Sequence, residues 1–178
     1  MQEIVILDKR FRESIPGEVI NRRIDEMAME LNRDYAGREV VFLGILNGAF
    51  MFSSEIFKRI DLKARITFVK IASYRGTKST GAVNQLIGLN EDLEDRDVVI
   101  LEDIVDSGQT LESIVDVLIL KKVHSIGIAT LLLKPEAYSA RFRIDYVGFK
   151  IPNDFVVGFG LDYDGFGRNL TSVYTLVH

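Results

Sequence analysis

Apolar residues follow two different rhythms along this chain. From Pro16 to Leu31 they recur at helical spacing, with Ile20, Ile24, Met27 and Leu31 on one face, a proline near the first turn and Gly37 to close the element. Glu39 to Leu46 (EVVFLGIL) is instead a nearly continuous apolar run, the mark of a strand buried on both faces. The pattern then predicts a helix from Ala49 to Ile60, a strand from Arg65 to Ser73 and a polar, glycine-containing loop over residues 74–84. Asp97 to Leu101 (DVVIL) reads as a third strand. The helix after it puts Leu111, Ile114, Val115 and Leu118 on one face and turns Glu112 and Asp116 away. Ser125 to Leu133 (SIGIATLLL) is a fourth strand. The N-terminal IVIL and the C-terminal stretches Tyr146–Phe149 and Phe155–Val157 look like short strands.

Apolar strands alternating with amphipathic helices predict an α/β fold, a mainly parallel sheet with helices on both faces. The 178 residues suit a single domain, and no repeat or linker divides them. Ligands of such folds bind beyond the carboxyl ends of the strands. Three strand ends carry unusual polar sequences: LNGAF after the first, EDIVDSGQT after the third and Lys134 after the fourth. Parallel strands would bring all three to one edge.

Composition narrows the chemistry. Cysteine is absent, so disulfides, thiolate catalysis and cysteine-bound zinc are excluded. Only two histidines occur, one of them the last residue, which disfavours a histidine triad or metal cage. The formal charge of -4 gives no overall attraction to nucleic acid or an anionic membrane. No apolar run approaches a membrane span, and the start MQEIVILDKRF does not read as a signal peptide, so a cytoplasmic protein is expected.

The segment Val98–Leu111, VVILEDIVDSGQTL, carries the most chemistry. An apolar strand meets two adjacent carboxylates, Glu102 and Asp103; Asp106 follows, then a Ser-Gly-Gln-Thr turn and a helix. Gly108 permits a positive φ and close backbone approach, Ser107 and Thr110 add hydroxyls, and a helix N-terminus offers free N–H groups to a phosphate. The GxxxxGK[ST] lysine and the GxGxxG pattern are both missing, so this is neither a P-loop nor a dinucleotide turn. Vicinal sugar hydroxyls can donate to paired carboxylates, so the string suits a phosphorylated sugar. A plainer reading stays open for any one acid: Asp103 or Asp106 could simply cap the helix.

This segment resembles the phosphoribosyl pyrophosphate signature of the type I phosphoribosyltransferases. Nearly the whole chain is similar to the hypoxanthine-guanine branch of that family in its bacterial form, through GILNGAF (44–50), SY (73–74), LLLKP (131–135) and DFVVGFGLDYDGFGRNL (154–170). The resemblance implies transfer of a phosphoribosyl group to N9 of a 6-oxopurine, with Mg2+ as cofactor, in purine salvage. It implies a small base-binding hood formed by residues 1–15 and about 135–178. Glu102 and Asp103 would hold the ribose hydroxyls directly or through magnesium, and Ser107, Gly108, Gln109 and Thr110 would wrap the 5′-phosphate. Asp106 would manage the proton at purine N7. Leu46, Asn47 and Gly48 would form the pyrophosphate loop, where the family often places a non-proline cis peptide; many relatives carry Lys or Arg at the Asn47 position. Lys134 would donate to the 6-oxygen, Phe155 would stack on the purine and Val156 would read its edge through the backbone. Asp162 would bind magnesium and Arg168 the pyrophosphate. Ser73 and Tyr74 would begin a lid. A homodimer or homotetramer is expected, with no nucleic-acid or membrane partner. Xanthine, adenine or a pyrimidine as the base, and a transcriptional regulator that keeps the sugar-phosphate site, are the competing expectations.

Overall fold

The computed structural model describes residues 3–73, 84–89 and 91–177, without the side chains of 71–73 and 84–87. Its centre is a six-stranded sheet in the order β5-β4-β3-β6-β7-β8. These strands are β3 Glu39–Leu46, β4 Lys63–Ser73, β5 Asn84–Ile87, β6 Asp97–Val105, β7 Ser125–Leu133 and β8 Tyr146–Lys150. Five run parallel and β5 returns antiparallel along β4.

The alternation of side chains on the strands sorts the core into two layers. Val40, Phe42, Val99 and Leu101 pack with the apolar stripe of α1 (Gly17–Asp34), namely Ile20, Ile24, Met27 and Leu31, and with Phe52 and Ile56 of α2 (Phe50–Phe57). Val41, Leu43, Val98 and Ile100 pack on the other face with Leu111, Ile114, Val115 and Leu118 of α3 (Gln109–Leu120). Each such side chain taken out of water contributes about 1.5–3 kcal/mol. Helix α2 is shorter than the pattern predicted. Arg59 and Ile60 donate to acceptors three residues back, Ile56 and Phe57, so the last turn tightens and the chain leaves the helix.

A second, antiparallel sheet in the order β1-β2-β10-β9 is built from β1 Glu3–Ile6, β2 Lys9–Ile15, β9 Val156–Val157 and β10 Val173–Leu176. Its own core is Ile6, Phe11, Val157 and Tyr174. The strand-like IVIL run thus becomes part of a hairpin, and Tyr146–Lys150 joins the six-stranded sheet as its edge. Among the described residues no helix is long and apolar enough to cross a membrane.

Candidate active site

Strand β6 reaches further than its apolar run. Pairing with β7 continues through Ile104↔Leu132 and Val105↔Leu133, so Glu102 and Asp103 stand inside the strand rather than beyond it. Both are buried, at 5% and 7% exposure. Among the described residues, Glu102 Oε2 has no hydrogen-bond partner. Burial first, and then the neighbouring Asp103 carboxylate, push the Glu102 carboxyl well above the usual Glu range. Burial raises Asp103 as well, against hydrogen bonds to its own strand and the charge of Arg168.

The turn after β6 has the geometry of an anion cradle. Gly108 is left-handed, at φ 88°, and serves as N-cap of α3. A side chain there would collide with Ala140 and Tyr138, so only glycine fits. Ser107 O accepts from Ser139 N at 3.3 Å, which folds the segment after β7 over the turn. The Glu112 N–H finds its helical acceptor in Gly108 O at 3.0 Å; those of Gln109, Thr110 and Leu111 come before that point, at the positive end of the helix.

Lys134, expected at the end of β7, lies beside Asp106. Its Nζ donates to Asp106 Oδ2 at 3.1 Å. Lys134 is buried while Asp106 is exposed, so the pair carries a cation out of the core toward the open side of the edge. The Lys134 N–H bonds Val105 O at 2.9 Å and fixes the two strand ends together.

The Leu46–Asn47 peptide is cis. Gly48 sits against Asp103, since a side chain there would run into its carboxylate; Gly160, at φ 101°, is crowded in turn by the Gly48 carbonyl. These close approaches stack the loop after β3, the acid pair and the segment after β9. Arg168 is held by Gly160 O at 2.7 Å and by Asp162 Oδ1 at 2.6 Å, while the second Asp162 oxygen accepts from Gly165 N at 2.7 Å. No group of three or more acidic, histidine or cysteine side chains converges on one point among the described residues. Glu102, Asp103 and Asp162 therefore do not form a protein-only metal cage. A hard cation near them would need oxygens from a bound ligand, and the unpartnered Glu102 Oε2 suits that chemistry.

In the antiparallel sheet, Phe155 is 43% exposed. It stands 6.2 Å from Phe11 and 6.0 Å, edge-on, from Tyr163. Leu176 N donates to Phe155 O at 2.9 Å, and Val157 pairs with Tyr174. Ladder bonds alternate, so the N–H and C=O of Val156 point off the free edge of β9. Ser73 ends β4, and Tyr74 lies outside the described residues. Sequence reasoning assigned nothing to Gly160 or Tyr163, although both lie in its 154–170 segment. Their part depends on contacts with residues distant in the chain, which no local pattern encodes.

A glycine turn at a helix N-terminus, a buried acid pair and a lysine–aspartate pair lie at the carboxyl edge of a parallel sheet, and an exposed phenylalanine adjoins the antiparallel sheet, the arrangement expected of a phosphoribosyltransferase. The phosphoribosyl transferase domain family matches residues 17–164. Hypoxanthine-guanine phosphoribosyltransferases of Staphylococcus aureus and Staphylococcus epidermidis are 45% and 46% identical over 160 residues, 89% of this chain and 89% of each relative. A solved hypoxanthine phosphoribosyltransferase of Staphylococcus aureus superposes with a TM-score of 0.86 at 41% identity, covering 93% of this chain and 91% of that one. A hypoxanthine-guanine phosphoribosyltransferase of Bacillus anthracis gives 0.85 at 30% identity, covering 93% and 97%. The chain belongs to the hypoxanthine-guanine phosphoribosyltransferase family.

Proposed function

We propose that this enzyme transfers the 5-phosphoribosyl group of phosphoribosyl pyrophosphate to N9 of hypoxanthine or guanine, releasing pyrophosphate in purine salvage. The observation that carries this reading is the pairing of Lys134 with Asp106, which lies in the chain between the buried acids and the phosphate turn. With the 5′-phosphate on Ser107–Thr110, the ribose hydroxyls fall to Glu102 and Asp103. Asp106 then faces the anomeric carbon and the purine. N9 forms its bond to that carbon as the bond to pyrophosphate breaks, and Asp106 accepts the proton that leaves N7. Positive charge that develops on the sugar is stabilised by the nearby carboxylates. The base itself is the nucleophile, so the chain needs none of its own.

Lys134 donates to the 6-oxygen once the base separates it from Asp106, which favours 6-oxopurines over adenine. Phe155 offers its open face for stacking and Val156 its free backbone groups. Arg168 and the N–H groups around Gly48 receive the diphosphate. Glu102, Asp103 and Asp162 are the residues that would hold magnesium, which when bound neutralises the charge of the leaving diphosphate. A cytoplasmic homodimer or homotetramer completes the reading, to be checked by light scattering. The decisive test is a panel of hypoxanthine, guanine, xanthine, adenine and uracil with phosphoribosyl pyrophosphate and magnesium, repeated in EDTA. Formation of the hypoxanthine or guanine nucleotide, lost in EDTA and regained with magnesium, is the expected result. Turnover of adenine or uracil alone would overturn the assignment.

A further inference from the structure

We infer that Tyr163 is a positioning residue for the purine, joining the stacking surface of Phe155 to the turn that carries Asp162 and Arg168. The inference rests on the activity proposed above. Three sets of contacts meet at this one side chain. Its ring stands edge-on to Phe155 at 6.0 Å and an interplanar angle of 84°, and 6.3 Å from Phe11. Its hydroxyl donates to Asp8 Oδ1 at 2.8 Å, in the turn between β1 and β2. Its backbone exchanges both hydrogen bonds with Phe166, at 2.9 and 3.0 Å, across a two-residue turn in which Asp164 and Gly165 both have positive φ. That turn supplies the Gly165 N–H held by Asp162, and Arg168 follows it.

Lys9 closes the cluster from the hairpin. Its ammonium lies 4.4 Å from the Tyr163 ring centre and 5.8 Å from that of Phe155. Phe155 is therefore braced by Phe11, Tyr163 and Lys9 while 43% of it stays exposed. The brace matters because a stacking ring gains affinity only when its position is set before the base arrives. A ring free to rotate must lose that freedom on binding, which weakens the base and leaves the reacting centre unchanged once the base is seated. The N-terminal hairpin thus acts on the base site through Tyr163.

The test is steady-state kinetics of the full chain, with thermal unfolding of each variant. Loss of the ring in Tyr163→Leu should raise the KM for hypoxanthine about five- to tenfold, the weight of an edge-on aromatic contact. Its kcat should stay within about threefold, and its Tm within a few degrees of wild type. Tyr163→Phe keeps the ring and should restore the KM to within about threefold of wild type. A base KM unchanged in Tyr163→Leu, or losses in kcat and in both KM values that track the fall in Tm, would overturn the inference. Should Tyr163→Leu fail to fold, Lys9→Ala on the hairpin carries the test: a rise of about two- to threefold in base KM supports the brace and an unchanged value refutes it. A wild type that uses no 6-oxopurine would instead sink the proposed activity, which is seen before any variant is compared.

Discussion

Strand β6 carries a buried acid at its beginning and two more near its end, and the sheet treats them in opposite ways. Asp97, at the amino end, is 8% exposed and fully partnered. Arg38 grips it with two hydrogen bonds of 2.8 and 2.5 Å, and Ser125 adds a third of 2.5 Å. Arg38 precedes β3 and Ser125 opens β7, so this pairing ties three strands at their starts. Glu39 next to it is ringed by Lys63, Arg65 and Arg96. Glu102 and Asp103, at the carboxyl end, are as deeply buried, yet among the described residues one Glu102 oxygen has no partner, and both carboxyls are pushed up. Burying an unpaired carboxylate costs several kcal/mol unless it takes up a proton or a partner. One edge of the sheet commits its acid to cohesion; the other holds acids in a state that a hydrogen-bond donor or a cation would relieve.

Substitutions can break this contrast at either edge. The largest effect is expected from Asp106→Asn, where kcat should fall roughly 100-fold with little change in phosphoribosyl pyrophosphate binding, because general base catalysis is lost while positioning and electrostatics remain. Normal turnover in a folded Asn variant would remove Asp106 from the mechanism. At the opposite edge, Asp97→Ala should leave kcat alone and cost about 2–3 kcal/mol in urea unfolding, since Arg38 and Ser125 lose their shared acceptor but Arg38 keeps some water. If stability is unchanged, the amino edge is not the tie described above.

Lys134→Ala should raise the KM for the base about tenfold, far more than that for phosphoribosyl pyrophosphate, as a hydrogen bond to a charged group is removed. A selective loss of phosphoribosyl pyrophosphate binding would put Lys134 in the wrong pocket. The smallest effect sharpens the comparison most. Between the ordinary Glu value of 4.5 and its raised folded value, the folded chain holds a proton at Glu102 that the unfolded chain has released. Stability therefore falls as pH rises through that window. In EDTA, Glu102→Gln should flatten this decline and be more stable than wild type at alkaline pH, while binding phosphoribosyl pyrophosphate less well. An equal slope in both proteins would show that Glu102 is satisfied after all.

Much of this was legible in the residues. The apolar stripe of α1 and that of α3 were correctly read from spacing, because a 3.6-residue period can bury only one face. The continuous apolar runs marked the parallel strands, which are covered on both sides. The carboxyl end of β6 was misjudged because hydrophobicity stopped at Leu101 while the backbone kept pairing with β7, and ladder bonds do not depend on side-chain polarity. The hairpin of β1 and β2 showed only its first strand, since β2 (KRFRESI) buries chiefly Phe11 and borrows its partner β10 from the far end of the chain.

The sequence by itself determined the class of fold, the glycine turn before α3 and the identity of the acids, because each depends on residues adjacent or one helical turn apart. Tertiary structure alone decided which acids are satisfied and which are left waiting. Asp97 and Glu102 are five residues apart on the same strand, and the local motif that marks Glu102 does not show which of the two will find a partner. The difference comes from Arg38 and Ser125 at one end, and from the bare glycine backbone of Gly48 against Asp103 at the other. The burial that raises a carboxyl, the partner that stabilises it and the aromatic brace of Phe155 all arise from segments that meet only when the chain closes on itself.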